Sequence, residues 1–401
     1  MANVGIYQQC WGKTDAEQRL VGLIAQILSE VHDVEIVHHE PELVSEEWGR
    51  RLGLDLRRTA FRYLEAPKTG VGTVGSVNVS SDHLEELSGR YDVFLNASDQ
   101  PPIPNRAKCG ILLTQFPQYD QETFYAEERS EEAAGWFRNW FGGGKRKEKR
   151  DWQRRFFSYH HYGCLSEYAL QWCTKRWGLM PKILDPVIRK NGSAAEKTSS
   201  IAAMGRLELR NLDRLDMVIN VFQDLCDRKF ARVNLSPDEW TLELICSGAG
   251  EEAEECLRQL KMKAFGYRVR FHVDPDWETQ EKILAEAKFF WYLRGFGVME
   301  QDEPDKIGGT DLSVLLAQDA GALPLAFHAG GIAKVIRHEK SGILWEDYRE
   351  LGDFTLALLL QKDYLPVFAE GARENAKLYG ENEFRASLER FLRGVLEVKI
   401  D

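Results

Sequence analysis

Apolar residues fall along this chain in short runs that alternate with helix-period stretches, and the alternation occurs twice. Residues 4–8 read as a buried strand, and 15–31 as a helix with Leu20, Leu23, Ile24, Ile27 and Leu28 on one face. A strand at 34–38 completes a βαβ unit. Further strands are predicted at 91–96, 110–114 and 182–184, with a strand and a helix over 162–177. The small, polar stretch 191–200 reads as a linker. A second series follows: strands at 201–204, 242–246, 268–273 and 289–293, a turn at Gly205, and helices over 212–222 and 251–260. Strands alternating with helices predict an α/β fold with mostly parallel sheets covered on both faces.

Residues 291–347 are the most structured part of this pattern. Thr310 is placed to cap a helix carrying Leu312, Leu315, Leu316 and Asp319, and Gly321 ends it where a left-handed residue is needed. Pro324 opens the apolar strand LPLAF. His328-Ala329-Gly330-Gly331 then leads into a second helix, 332–338. Such a turn either aims free backbone N–H groups at an anion or is simply a tight βα connection. Two doubly wound halves predict a central cleft between the carboxyl ends of two sheets, where ligands bind in open α/β folds.

Composition narrows the class. The 401 residues suffice for two or three domains, and 43% hydrophobic with 29% charged residues is ordinary for a globular protein. A net charge of −11 argues against nucleic acid as a partner. The first residues run straight into a strand without a secretory pattern, and no apolar run approaches the roughly 20 residues that span a bilayer. The seven cysteines include no CxxC pair, so reduced thiols in a cytoplasmic protein are expected. Residues 120–158 interrupt the α/β rhythm, and Lys145 to Arg155 holds seven basic residues and two acidic ones. That segment, with the aromatics of 136–157, suits peripheral contact with an anionic inner membrane face, a charged acceptor, or a solvated helix with a mobile loop. Asp274-Pro275-Asp276 has the spacing of a metal-binding D-x-D, but Asp276 stands where a helix N-cap is needed.

Five segments, in order, resemble the family-4-type glycosyltransferases of GT-B architecture. They are YDVFLNASDQPPIPNRAKCGILLTQFPQ, YGCLSEYALQWCTKRWGLMPKILDPVI, IAAMGRLELRN, ICSGAG, and GALPLAFHAGGIAKVI with SGILW. The resemblance spans most of the chain outside 120–158. It implies two Rossmann-like doubly wound domains facing a central cleft: 1–190 for the acceptor, 198–378 for a nucleotide sugar, and a helix in 379–401 returning to the first domain. It implies sugar transfer with retention from a nucleotide-diphosphate hexose, UDP- or GDP-linked, to an acceptor the sequence does not identify, with no metal or other cofactor required.

On the resemblance, Arg206 and Arg210 neutralise the leaving diphosphate, Arg210 standing where lysine is usual; the alternative for both is a surface ion-pair role near Glu208 and Asp213. Gly330, Gly331 and the amide of Ile332 would take the same diphosphate from the other side. Gly205, Ser247 and Gly248 line the second-domain turns, and Gly12, Lys13 and Thr14 resemble the first-domain loop that closes over the donor. The family's E-x7-E glutamates are replaced by Gly308 and Leu316, so Asp305 or Asp311 is the candidate carboxylate for the sugar hydroxyls, each being equally explicable as a turn or helix-start residue. Gln115 stands for the usual first-domain histidine, with His160 and His161 nearby in sequence. The alternative function is a catalytically silent GT-B protein that binds a nucleotide sugar or partners an active transferase.

Overall fold

The computed structural model describes residues 1–8, 16–40, 45–65, 81–97, 101–125, 144–188, 195–209, 213–308, 312–361 and 363–398. The chain divides into two compact units, Met1–Pro186 together with Phe384–Asp401, and Val187–Glu383.

The first unit holds seven parallel strands: β1 (Asn3–Tyr7), β2 (Asp33–His38), β3 (Ala60–Tyr63), β4 (Val93–Ala97), β5 (Cys109–Thr114), β6 (His161–Cys164) and β7 (Lys182–Ile183). Their order is β3-β2-β1-β4-β5-β6-β7. The strand order reverses between β1 and β4, where Tyr7 is in register with Asn96. The helix Ala16–Leu28 buries Leu20, Leu23, Ile24, Ile27 and Leu28, the face expected from their spacing.

Residues 144–157 are less of an interruption than the charge pattern suggested. The helix Gly144–Phe157 lays Trp152 and Phe156 into an aromatic cluster with Tyr125, Tyr159 and Trp177, while Arg146, Lys147, Lys149 and Arg150 stay exposed. Residues 126–143 lie outside the described part. His160 and His161 fall at the amino ends of β5 and β6, where His160 Nδ1 accepts the Gly110 N–H at 3.0 Å. They are therefore at the wrong end of the sheet to serve in place of Gln115, because ligands bind at carboxyl ends.

The final helix, Glu381–Leu392, buries Phe384, Leu388, Phe391 and Leu392, worth roughly 2 kcal/mol apiece. Arg385, 9% exposed, forks onto Glu30 at 2.7 and 3.1 Å. Ser387 Oγ lies 3.2 Å from Asp185, and the Glu397 carbonyl lies 2.8 Å from His32 Nε2. Every one of these partners belongs to the first unit.

The second unit holds β8 (Ser200–Arg206), β9 (Thr241–Ser247), β10 (Val269–Val273), β11 (Phe289–Tyr292), β12 (Leu323–Phe327) and β13 (Ile343–Trp345). They are parallel in the order β10-β9-β8-β11-β12-β13. The order reverses between β8 and β11. All of β11 is buried, as a strand covered on both faces must be. Gly321 has φ +69°, the left-handed end expected for the helix Leu312–Asp319.

Two local expectations fail here. Gly205 is not a turn but the penultimate residue of β8, in register with Cys246. A Cβ there would stand 2.8 Å from Asp213 Cβ and 2.9 Å from Leu215, so the glycine serves the close packing of the following segment onto the strand. The helix after Gly331 is only Ile332–Val335, because the Ile336 backbone turns extended (φ −107°, ψ +118°).

Candidate functional site

Open α/β sheets bind ligands outside the carboxyl ends of their strands, at the point where strand order reverses. In the second unit that point is flanked by Arg206, the last residue of β8, and by Arg294, two residues past β11. Arg206 is 49% exposed and pairs with Glu208 at 3.7 Å, one of the two roles its sequence position suggested. A half-exposed pair at that distance is weak, so the guanidinium is available to a stronger anion. The Arg206 backbone N–H donates to Asp213 Oδ2 at 2.8 Å, which ties the end of β8 to the segment behind it. Asp213 Oδ1 lies 3.8 Å from Arg294 Nη1.

Arg294 was not singled out by the sequence reading. Its side chain is only 20% exposed and lies across Gly308: a Cβ on Gly308 would stand 3.0 Å from Arg294 Nε. Gly308 has φ +86° and Gly330 φ +57°, and a Cβ on Gly330 would stand 2.4 Å from the Gly308 carbonyl oxygen. Glycine is needed at both positions for conformation as well as for space. The signal in the sequence was an arginine directly after an apolar strand and before Gly-Phe-Gly, at a reversal point that only the strand order reveals. Next to it, Arg214 donates to the Phe296 carbonyl at 3.1 Å and pairs with Asp216 at 3.5 Å, linking the helix Leu215–Asp224 to the loop after β11.

The turn after β12 brings Gly330 and Gly331 to the same edge, and neither amide makes a hydrogen bond among the described residues. Ile332 does not join them. Its N–H donates to the Ala329 carbonyl at 3.4 Å and its side chain is buried, because the turn closes on itself. The single-turn helix that follows has little dipole to offer an anion.

Ser247 ends β9, and the Gly248 N–H donates to Asp274 Oδ1 at 3.3 Å. The helix Glu251–Lys263 begins with Glu251, Glu252 and Glu254 in its first turn, and Glu252 also accepts the Leu209 N–H. These carboxylates would repel a phosphate there, so Ser247 and Gly248 suit a neutral part of a ligand. Asp276 caps the helix Trp277–Glu286 by accepting the Thr279 N–H at 2.8 Å. Asp305 is exposed in the first turn of Pro304–Ile307. Leu316 lines an apolar dimple with Trp277, Gln280, Glu281 and Leu284. Gly12, Lys13, Thr14, Arg210, Thr310 and Asp311 lie outside the described residues.

No family model and no curated protein matches this sequence. Solved structures do match in fold. The chain superposes on Anabaena HepE, crystallised with UDP and glucose, with TM-score 0.65 and 11% identity over 98% of this chain and 99% of that one. WaaG, a glycosyltransferase involved in lipopolysaccharide biosynthesis, gives 0.63 and 14%, covering 98% and 100% of the two chains. Sucrose-phosphate synthase from Thermosynechococcus elongatus gives 0.65 and 10%, covering 98% of each. With its seven- and six-stranded parallel sheets, each flanked by helices, this chain has the GT-B fold.

Proposed function

We propose that this protein is a retaining glycosyltransferase that moves a hexosyl group from a nucleotide-diphosphate sugar to an acceptor. The observation that carries the reading is the edge of the second sheet. Arg206 ends β8 at the reversal point, and Gly330 and Gly331, whose amides are unbonded among the described residues, follow β12 at the carboxyl end of the same sheet. A leaving diphosphate gains negative charge as the glycosidic bond breaks, and cations with fixed N–H donors stabilise that charge. Structures of HepE with UDP and with UDP-glucose support a uridine-linked donor.

In this reading Arg206 and Arg210 hold the diphosphate, with the Gly12-Lys13-Thr14 loop over it, and Ser247 and Gly248 contact a neutral part of the nucleotide. Gly205 lets Asp213 pack close behind Arg206. Asp305 or Asp311 accepts from the sugar hydroxyls. The exposed basic face of Gly144–Phe157, with Phe157 74% exposed beside it, is proposed as a peripheral contact with an anionic membrane. No described helix is long and apolar enough to cross one.

A second reading, a silent GT-B protein that binds the donor without turning it over, is favoured by one observation. Gly308 and Leu316 stand where the resembled family has its glutamates, and Leu316 packs against the apolar cluster that holds Leu284. A donor screen separates the two: UDP-, GDP-, ADP- and dTDP-sugars are tested for hydrolysis or transfer, with thermal shift alongside. Binding with turnover supports the transferase, binding without turnover supports the silent protein, and no binding by any donor contradicts both.

A further inference from the structure

Lys197 lies in the segment that enters β8, at the amino end of the second sheet and so at the opposite end of that strand from Arg206. The backbone around it is fixed: the Thr198 N–H donates to the Glu286 carbonyl at 2.8 Å, and the Ser199 carbonyl accepts the Thr241 N–H at 3.0 Å. The partly buried side chain ends with Nζ donating to the Ala320 carbonyl at 2.9 Å, just past the helix Leu312–Asp319. Among the described residues that is the one hydrogen bond of the amine, and no carboxylate pairs with it.

A second cation meets the same turn. Gly321 follows Ala320, and a Cβ on Gly321 would overlap Arg373 Nη2. Arg373 belongs to the helix Tyr364–Ala376, and its carboxylate partner among the described residues is Glu370 at 3.3 Å. Two cations thus lie against adjacent residues, and the buried one has no counter-ion. The charged form of an amine is disfavoured in that setting, since burial removes water and a neighbouring guanidinium repels an ammonium. The carbonyl end of a helix favours a cation, but that effect is small and local. Burial first and Arg373 second lower the Lys197 pKa from 10.5 to about 7. Near neutral pH an ordinary lysine is unprotonated in only about one molecule in a thousand, whereas Lys197 is a free amine in a large share of molecules.

We propose that Lys197 is a carbon dioxide site: its Nζ carries CO2 as a carbamate whose negative charge the Arg373 guanidinium balances. The amine lone pair forms the N–C bond, one C–O π pair moves onto oxygen, and the nitrogen gives its extra proton to water. The product sets an anion beside a cation where the ammonium sets a cation beside a cation. The N–H that remains on the carbamate nitrogen keeps the Ala320 carbonyl as its acceptor. The modification ties the entry to β8 to the helix Tyr364–Ala376, and it is independent of the donor-site reading.

Carbon-13 NMR with labelled bicarbonate tests it, slightly above neutral pH, on wild type, Lys197→Arg and Arg373→Gln. Alkylation of any carbamate with an oxonium salt, followed by peptide mass spectrometry, locates the carbon. Wild type should show a protein-bound carbamate resonance, and the trapped group should map to Lys197. Lys197→Arg keeps the cation and a long stem but lacks the amine, so that resonance should vanish. Arg373→Gln should lower the occupancy roughly 10-fold, because the carbamate loses its counter-ion and the amine holds its proton more tightly. Melting curves establish that each variant is folded, and the peptide map of wild type decides the site even where a variant is not. No carbamate in wild type, a group trapped only at the Met1 amine, or a resonance unchanged in Lys197→Arg overturns the inference. Full occupancy in a folded Arg373→Gln overturns the pairing with Arg373.

Discussion

The carbonyl oxygen of Gly308 lies so close to Gly330 that a Cβ on Gly330 would stand 2.4 Å from it. Two loops, one after Pro304–Ile307 and one after β12, therefore meet backbone to backbone at the edge of the second sheet. Gly330→Ala adds this clash to the strain of a side chain at φ +57°. A loss of roughly 2–3 kcal/mol is expected in chemical denaturation. Nucleotide affinity should fall as well, because the unbonded Gly330 and Gly331 amides move. A variant with unchanged stability and binding would contradict the close contact.

Much of the architecture was legible in the sequence, and the failures have physical causes. The spacing of Leu20, Leu23, Ile24, Ile27 and Leu28 marks a helix whose face is buried in the structure, and the all-apolar FFWY marks a strand covered on both sides. Gly205 reads as a turn because glycine often punctuates, yet it lies inside β8, where only packing by Asp213 and Leu215 explains it. The buried aromatic face of Gly144–Phe157 was hidden by its charge run, since Trp152 and Phe156 are outnumbered by basic neighbours. Arg294 could not be singled out, because its meaning depends on strand order and on the absent side chain at 308, neither of which is local.

Acid should weaken the first unit through His38. Burial, the largest cause, together with the neighbouring His39, lowers its pKa from 6.5 to about 4; Nδ1 accepts the Glu40 N–H at 3.2 Å, as only an unprotonated ring nitrogen can, and the Phe61 and Tyr63 rings flank it. The unfolded chain therefore takes up a proton near pH 6.5 that the folded chain refuses until about pH 4. The stabilisation is full above pH 6.5 and is lost as pH falls toward 4, on the order of 3 kcal/mol. His38→Asn should flatten the slope of stability against pH in that window. An unchanged slope would remove His38 as its source.

Vesicle binding checks the basic face. Phosphatidylserine-containing liposomes should retain the protein at low salt and release it as ionic strength rises, with about 1 kcal/mol lost per basic residue removed. Replacing Arg146, Lys147, Lys149 and Arg150 by glutamine should abolish retention, while Trp152 and Phe156 keep the helix packed. Binding that ignores both salt and these substitutions contradicts an electrostatic contact.

The central claim, that a nucleotide-sugar diphosphate is held at the edge of the second sheet, is tested most directly by steady-state kinetics of Arg206→Ala with the donor found in the screen. A guanidinium on the leaving oxygen stabilises the transition state more than the ground state, so its loss should reduce kcat about 10²–10³-fold with a smaller change in donor KM. Arg206→Lys should recover part of the rate, because charge persists without the bidentate fork. Full turnover by a folded Arg206→Ala would contradict the account.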